Sequence, residues 1–220
     1  STLDRSSAAS DVYKRQVDHL LEHNIQPFIT LNHWDIPQGL EDIGGWPNRS
    51  MVDAFVKYSY YVSTRLGDRA KNWITHNEPW CISYLGYVHG QFPPGLKDNW
   101  PKSLATAHHL LLSHGMSINE IRNNSKESEV GITLNLCPST PASNSTYDIE
   151  YCKFFDAQFN QLYLDPLYKK SYPEYLFDYL TKKRLIKKSE INFIKPGDLE
   201  TIGKKTDFLG VNFYSRAIIR

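Results

Sequence analysis

Residues 71–80 read KNWITHNEPW and give the clearest indication of the fold. The apolar pair Trp73-Ile74 is followed by polar residues as far as Glu78, and Pro79 then ends the extended run because it has no N–H to donate. This order predicts a short buried strand whose last side chains point into a site. Glu78, at the tip of that strand, is therefore the first candidate for a functional residue.

The composition argues against two kinds of partner. With 25 basic and 24 acidic residues, the formal net charge is +1, which gives no electrostatic basis for binding nucleic acid or an anionic membrane. No apolar run is long enough to cross a bilayer. The cysteines, Cys81, Cys137 and Cys152, are too few and too widely spaced to predict a disulfide framework or a zinc site. They favour a cytoplasmic location, with secretion as the open alternative.

The first 16 residues are set apart from the functional argument. Residues 6–16, SSAASDVYKRQ, resemble a translated sequencing adapter of the kind found at the ends of metagenomic contigs. The alternative is a genuine helix start. We therefore expect residues 1–16 to be an adapter artefact or a non-native start, and residues 17–220 to be an internal piece of a longer chain forming one domain.

Strands and helices alternate along the remaining sequence. Apolar, β-rich runs predict strands that begin at Phe28, Trp73, Val130 and Phe208. Alternation of this kind implies parallel strands joined by helical crossovers, as in part of a (β/α)8 barrel. The strands are separated by far more than the roughly 30 residues of a minimal unit, and the surplus belongs to loops after the strands, where barrel active sites lie. Helices are predicted over 17–23, 50–66 (with a capping box from Ser50 to Asp53), 104–123, 147–164, 175–180 and 198–202, and a long loop over 86–101.

Three of the four predicted strands end in polar or aromatic residues. Because strand tips converge on one face of a barrel, we expect these side chains to lie together. The strand over 130–136 contributes no obvious functional residue. The candidates are His33 and Trp34 at the tip of the first strand, Asn77 and Glu78 at the tip of the second, and Asn212 and Tyr214 at the tip of the last, which is predicted over 208–214.

Each candidate alone has a structural explanation, such as a capped turn for Glu78 or a hydrogen-bonded core position for His33. Jointly, amide and imidazole groups, aromatic rings and a single carboxylate suit a polyhydroxylated ligand such as a sugar. No cofactor is predicted. His33 and Glu78 lack a third ligand at metal-binding spacing, and Gly44-Gly45 is not followed by the Lys-Ser/Thr of a phosphate loop.

Residues 75–79, THNEP, resemble the Thr-x-Asn-Glu-Pro signature of the family-one glycoside hydrolases, the β-glucosidase family. The resemblance covers essentially Val17 to Arg220, and the forms of residues 44–46 (GGW) and 196–200 (PGDLE) are closer to bacterial than to plant members. Further matching motifs are TLNHWDIPQGL (30–40), LGDR (66–69), AHHLL (107–111), SHG (113–115), LDPL (164–167), YP (172–173) and DFLGVNFY (207–214).

The resemblance implies a retaining β-glycosidase that hydrolyses terminal β-D-glycosidic bonds on a (β/α)8 barrel, with roughly strands three to six in this chain. Glu78 would be the general acid/base. The sugar-binding roles would fall to Asn77 at the 2-hydroxyl, His33 near the 3-hydroxyl, Trp34 lining the same subsite, and Tyr214 orienting the nucleophile with Asn212 beside it.

The family's nucleophile lies in a Glu-Asn-Gly motif on the seventh strand, and no Glu-Asn-Gly occurs here. We therefore expect the second carboxylate to lie outside this chain, and the isolated polypeptide to be poorly folded and inactive. A non-catalytic sugar-binding relative and a purely structural barrel domain are the alternatives. The residues predict neither the preferred sugar, nor the aglycone, nor the number of subunits.

Overall fold

The computed structural model describes residues 2–220, with side chains from residue 11 onward. Its short non-α helices are two π-helices, Cys81–His89 and Ala157–Gln161, and a 3-10 turn, Lys188–Glu190. The strands are β1 (Phe28–Asn32), β2 (Asn72–Asn77), β3 (Glu129–Asn135), β4 (Ser139–Pro141), β5 (Phe208–Asn212) and β6 (Ala217–Ile219). The α-helices are α1 (Thr2–Glu22), α2 (Gln38–Glu41), α3 (Ser50–Leu66), α4 (Trp100–Asn124), α5 (Thr146–Asp156), α6 (Leu162–Tyr168), α7 (Glu174–Lys182) and α8 (Asp198–Ile202).

The main sheet has four strands in the order β1-β2-β3-β5, and every neighbouring pair is parallel. The register places Ile29 beside Trp73 and Asn135 beside Asn212. An irregularity between Ile74 and Asn77 shifts the register of β2 against β3 just before the predicted site. The predicted α/β alternation with parallel strands is confirmed, and the sheet is about half of an eight-stranded barrel.

The core lies at the middle of the sheet and behind it. Trp73 on β2 and Ile132 on β3 are fully buried, as is most of α4, which packs between α3, α8 and the π-helix Cys81–His89. Helix α4 begins where the Asn99 side chain accepts the Lys102 N–H at 3.2 Å, with a proline in its first turn. Each fully buried leucine of α4 contributes about 1.5–3 kcal/mol, so this helix holds the outer layer against the sheet.

A charged cluster joins α4 to α8 and to the start of α3. Arg49 donates two hydrogen bonds to Asp198, at 2.8 and 2.6 Å, and His108 donates a third to Asp198 at 2.9 Å. Burial favours a raised pKa for Asp198, but the Arg49, Lys195 N–H and His108 hydrogen bonds outweigh it and lower the pKa to about 2. Burial lowers the pKa of His108 to about 4, so this imidazole is neutral at pH 7.

Both outer strands of the main sheet have an open edge within the described residues. Phe28 at the start of β1 and Val211 on β5 are about half exposed, whereas β3 is buried from Val130 onward and β2 has no exposed residue. A cavity of about 1050 Å³ lies at the β1 edge between α1, β1 and α3, away from the strand tips. In a closed barrel such edges pair with further strands, which is why they are apolar here.

Several predicted boundaries are wrong in detail. The predicted loop 86–101 begins inside the π-helix Cys81–His89 and ends inside α4, and Pro166 lies within α6 instead of after a helix. Ser50 is the first residue of α3 and not its cap. The pairing of β4 with β6 was not predicted.

No helix among residues 2–220 has both the length and the hydropathy required to cross a membrane. The assignment of residues 1–16 to a non-native start stays a prediction.

Candidate active site

Glu78 follows β2 directly, at the carboxyl end of the sheet. Its N–H donates to the Thr133 carbonyl at 2.8 Å, which continues the pairing to β3. Its φ of 50° is in the left-handed region, as is the φ of 80° at Trp34 after β1. Such a conformation costs a non-glycine residue about 1–3 kcal/mol and is held only by surrounding contacts, which makes both positions candidates for function. Pro79 then starts a helical turn, where its missing N–H is harmless.

The Glu78 side chain is buried, with 5% of its surface exposed, and each carboxylate oxygen has a donor. Asn212 Nδ2 donates to Oε1 at 2.6 Å, and the Cys81 thiol donates to Oε2 at 3.2 Å. Burial, the hydrogen bond and the negative charge of Glu78 together raise the pKa of the Cys81 thiol, so Cys81 remains a proton donor. The two bonds fix the carboxylate in one orientation at the strand tip.

Asn77 joins the other predicted residues to Glu78. Its Nδ2 donates to His33 Nε2 at 3.3 Å, and its Oδ1 accepts from Asn212 Nδ2 at 3.1 Å. Its backbone carbonyl accepts the Trp34 indole N–H at 3.1 Å. The structure therefore brings His33, Trp34, Asn77, Glu78 and Asn212 into one hydrogen-bonded cluster, as the convergence of strand tips predicts.

Tyr214 does not join this cluster within the described residues. Strand β5 ends at Asn212, not at Tyr214 as the sequence suggested, because the chain leaves the sheet there. Tyr214 is 80% exposed and Phe213 is 61% exposed, beyond the end of β5. The role of Tyr214 beside a nucleophile stays a prediction.

An aromatic wall adjoins the cluster. The Trp34 ring lies 4.9 Å from the Phe92 ring and 4.8 Å from the imidazole of His33, between centroids. Trp34 and Phe92 also line a cavity of about 460 Å³ together with Trp46 and Tyr87. Aromatic faces next to hydrogen-bonding groups can hold the CH face of a sugar ring.

The sequence analysis does not identify three residues near the site. Cys81 was considered only as a cysteine without a partner. A helical turn that starts at Pro79 brings Cys81, three residues after Glu78, back beside the Glu78 carboxylate. Phe92 lies in a loop and carries no local signal. Asn135, at the tip of β3, is buried and pairs in register with Asn212, so the expectation that this strand contributes nothing is too narrow.

Neutral histidines support the strand from behind. Burial lowers the pKa of His76 well below its usual range, and the ring bonds Asn32 Oδ1 at 3.2 Å and Ser113 Oγ at 2.9 Å. Burial likewise lowers the pKa of His114 to about 3, and its Nδ1 bonds the Thr75 hydroxyl at 2.7 Å. These bonds tie β1 to β2, and β2 to α4, just below Asn77 and Glu78.

A parallel α/β sheet with a buried carboxylate, amides and aromatic rings at its carboxyl-end tips has the arrangement of a (β/α)8-barrel enzyme site. The model of the family described as glycosyl hydrolase family 1 matches residues 5–220, and the chain belongs to that family. This confirms the resemblance found in the THNEP segment.

Relatives and solved structures agree with this assignment. The chain is 41% identical over 210 residues to Beta-glucosidase A of Acetivibrio thermocellus, covering 96% of this chain and 46% of the relative. It is 38% identical over 212 residues to a 1,4-beta-D-glucan glucohydrolase of Thermotoga neapolitana, covering 96% and 48%. The solved beta-glucosidase of Thermotoga maritima in complex with glucoimidazole superposes with a TM-score of 0.84 at 34% identity, covering 94% of this chain and 46% of that one. The chain thus spans about half the length of these proteins.

Proposed function

We propose that the complete barrel to which this chain belongs is a retaining β-glycosidase of the β-glucosidase type, with Glu78 as its general acid/base. The proposal is supported by membership of the family and by relatives named as β-glucosidases. The observation that carries it is the burial of Glu78 at a strand tip with both oxygens hydrogen-bonded, by Asn212 and Cys81. A β-glycoside is the substrate class, and no cofactor enters the proposal.

In the first step, Glu78 donates a proton to the leaving glycosidic oxygen while a second carboxylate attacks the anomeric carbon. In the second step, Glu78 removes a proton from water, which then releases the sugar. The attacking carboxylate of a retaining enzyme lies about 5 Å from the acid/base. We assign it to a part of the barrel outside this chain.

The bonds around Glu78 suit this double role. Asn212 and Cys81 hold the two oxygens in place, so that the carboxyl group meets the substrate in one orientation.

The remaining residues bind the sugar. The Asn77 amide and the His33 imidazole already hydrogen-bond each other at 3.3 Å, and sugar hydroxyls would replace that contact, with the 2-hydroxyl at Asn77 and the 3-hydroxyl near His33. Trp34, supported by Phe92, lines the same subsite. Tyr214 would orient the nucleophile once strands beyond β5 cover it.

The test uses a completed barrel, defined as a chimera in which this chain replaces the 210-residue matching segment of Beta-glucosidase A from Acetivibrio thermocellus. In the completed barrel, Glu78→Gln lowers kcat on β-glucosides with poor leaving groups by about 10²–10⁴-fold, because protonation of the leaving oxygen is lost. Activated aryl glucosides, which need little protonation, lose much less in the first step. An equal loss on both classes would refute the acid/base role.

Glu129→Gln is the matched control. Glu129 is exposed at the opposite end of β3, so the same chemical change there leaves kcat unaltered. Glucose-analogue binding with no turnover by the parent chimera would favour the non-catalytic sugar-binding alternative.

A phosphorylated sugar is a specific variant of the proposal. The relatives include a protein named 6-phospho-beta-glucosidase, 36% identical over 207 residues. Assaying the natural full-length protein with an aryl β-glucoside and with its 6-phosphate distinguishes the two substrates. We expect the unphosphorylated glucoside to be the substrate, because a residue other than the Pro79-Trp80 form often follows the glutamate in the phospho-sugar branch of the family.

A further inference from the structure

Two potential metal ligands lie in the last turn of α1, and the residue that follows the helix supplies a third. His19, Glu22 and His23 each offer a ligand atom, and these atoms all lie within 4.8 Å of one another. His19 Nδ1 is 3.6 Å from Glu22 Oε2, and the two imidazole centroids are 4.4 Å apart. Positions i, i+3 and i+4 of a helix face the same direction, so the grouping follows from the helix itself.

The His23 ring is held in the tautomer that metal binding requires. Its Nδ1 donates to the backbone carbonyl of His19 at 2.9 Å, which leaves the lone pair of Nε2 directed outward. Histidines that bind metals commonly have their other ring nitrogen bonded to a backbone carbonyl in this way. The contact fixes the ring before any ion arrives.

Position and accessibility also favour a cation. The side chains of His19 and Glu22 are 72% and 70% exposed, so an ion reaches them without moving other groups. The carboxyl end of a helix carries a partial negative charge that attracts cations. Helix α1 leads into the start of β1, whereas the strand tips with Glu78 lie at the other end of the sheet, so the two sites are separate.

We propose that His19, Glu22 and His23 bind a divalent transition-metal ion such as Zn²⁺. Two imidazoles four residues apart on a helix, with a carboxylate as third ligand, match the donor set that zinc accepts. Zinc–ligand distances are about 2.0–2.2 Å. The side chains are exposed, and rotations that move their ligand atoms by about 1 Å bring these atoms to that distance. Water completes the coordination. The ion closes the last turn of α1 and has no part in glycoside hydrolysis.

Isothermal titration of the completed barrel with ZnCl₂ tests the proposal. We expect one site whose affinity falls about tenfold or more in His19→Ala and in His23→Ala, because each removes one of three protein ligands. Glu22→Gln, which is isosteric, weakens binding less. His89→Ala, at another exposed histidine, leaves the affinity unchanged.

Circular dichroism of each variant checks that the helix content is unaltered. We expect no change, because the substituted side chains are exposed. The proposal is overturned if zinc does not bind, if His19→Ala and His23→Ala bind it as the parent does, or if His89→Ala weakens binding equally. Binding of the same strength in concentrated urea would also overturn it, because the site depends on helical spacing.

Discussion

The tips of β2 and β5 carry similar residues but differ in burial. At the β2 tip, Asn77 and Glu78 are at most 8% exposed, whereas beyond β5 Tyr214 is 80% exposed. Strand β2 has parallel neighbours on both sides, and β5 has only β3 within the described residues. A strand tip is therefore ordered by its neighbours and not by its own motif.

Asn212 shows that the difference operates within a single tip. It lies beside Asn135 in register, and its side chain reaches across to Asn77 and Glu78. Two residues later, Tyr214 lies beyond the end of β5 and is exposed. The part of the β5 tip that pairs with β3 is assembled, and the part beyond the strand is not.

The largest expected effect is the difference between this chain alone and the completed barrel. We expect no turnover of an aryl β-glucoside by the 220-residue chain, because retaining hydrolysis needs a second carboxylate about 5 Å from Glu78. The completed barrel should hydrolyse the same substrate. Turnover by the purified chain, abolished by Glu78→Gln, would show that the β2 tip is sufficient and would break the comparison.

A smaller effect is expected for Asn212→Ala in the completed barrel. It removes the 2.6 Å bond to Glu78, and hydrogen bonds to charged groups contribute about 1.5–3 kcal/mol, or roughly 10–100-fold in kcat/KM. Steady-state kinetics on an aryl β-glucoside measures the loss. Asn144→Ala, in an exposed loop, serves as the control. An Asn212→Ala enzyme with parental kinetics would mean that β5 does not position the acid/base.

Much of this arrangement is predictable from sequence. The four main strands are short apolar runs that begin within a residue or so of the predicted starts, and strand-tip convergence is a consequence of parallel pairing. Asn77, Glu78 and His33 were therefore found without knowledge of the contacts. The helical spacing of residues 50–66 likewise predicts α3, although its cap was misassigned.

The remainder depends on contacts between distant segments. The pairing of β4 with β6 joins two three-residue runs, one of them ending in proline, that are too short to be predicted as strands. The last residues of the π-helix Cys81–His89 fall in the predicted loop, which begins at Gly86. Gly86 lies against the backbone of Pro93, where a side chain would collide. The exposure of Tyr214 could not be predicted either, because it depends on strands outside the motif.

The cluster behind the sheet gives a third, smaller effect and extends the comparison to the helical layer. Asp198 has a pKa lowered to about 2 from an ordinary value of 3.8, so its stabilising contribution is complete above about pH 4 and disappears as the pH falls towards 2. The contribution is at most about 2 kcal/mol, and less after solvent screening, because the Arg49 side chain is 42% exposed. Asp198→Asn should lower the thermal midpoint of the completed barrel at pH 7.

The pH dependence is the diagnostic part of that experiment. The difference in midpoint between Asp198→Asn and the parent should shrink as the pH is lowered from 4 towards 2, because protonation removes the same charge from the parent. A difference that stays constant over this range would indicate a packing defect and not a lost ion pair. Unlike the substitution at Asn212, this one should leave kcat/KM nearly unchanged at 25 °C.

The smallest expected effect is at Cys81, the second neighbour of Glu78. A thiol is a weak donor and its bond is 3.2 Å long, so Cys81→Ala should cost at most about 1 kcal/mol, or roughly fivefold in kcat/KM. Cys81→Ser, which keeps a hydroxyl donor at the same place, should recover most of the loss. Both variants are assayed in the completed barrel beside Asn212→Ala. If Cys81→Ala loses as much activity as Asn212→Ala, Glu78 is positioned equally by the helix that follows β2. Strand β5, which carries Asn212, would then contribute less to the position of Glu78 than the comparison of the two tips indicates.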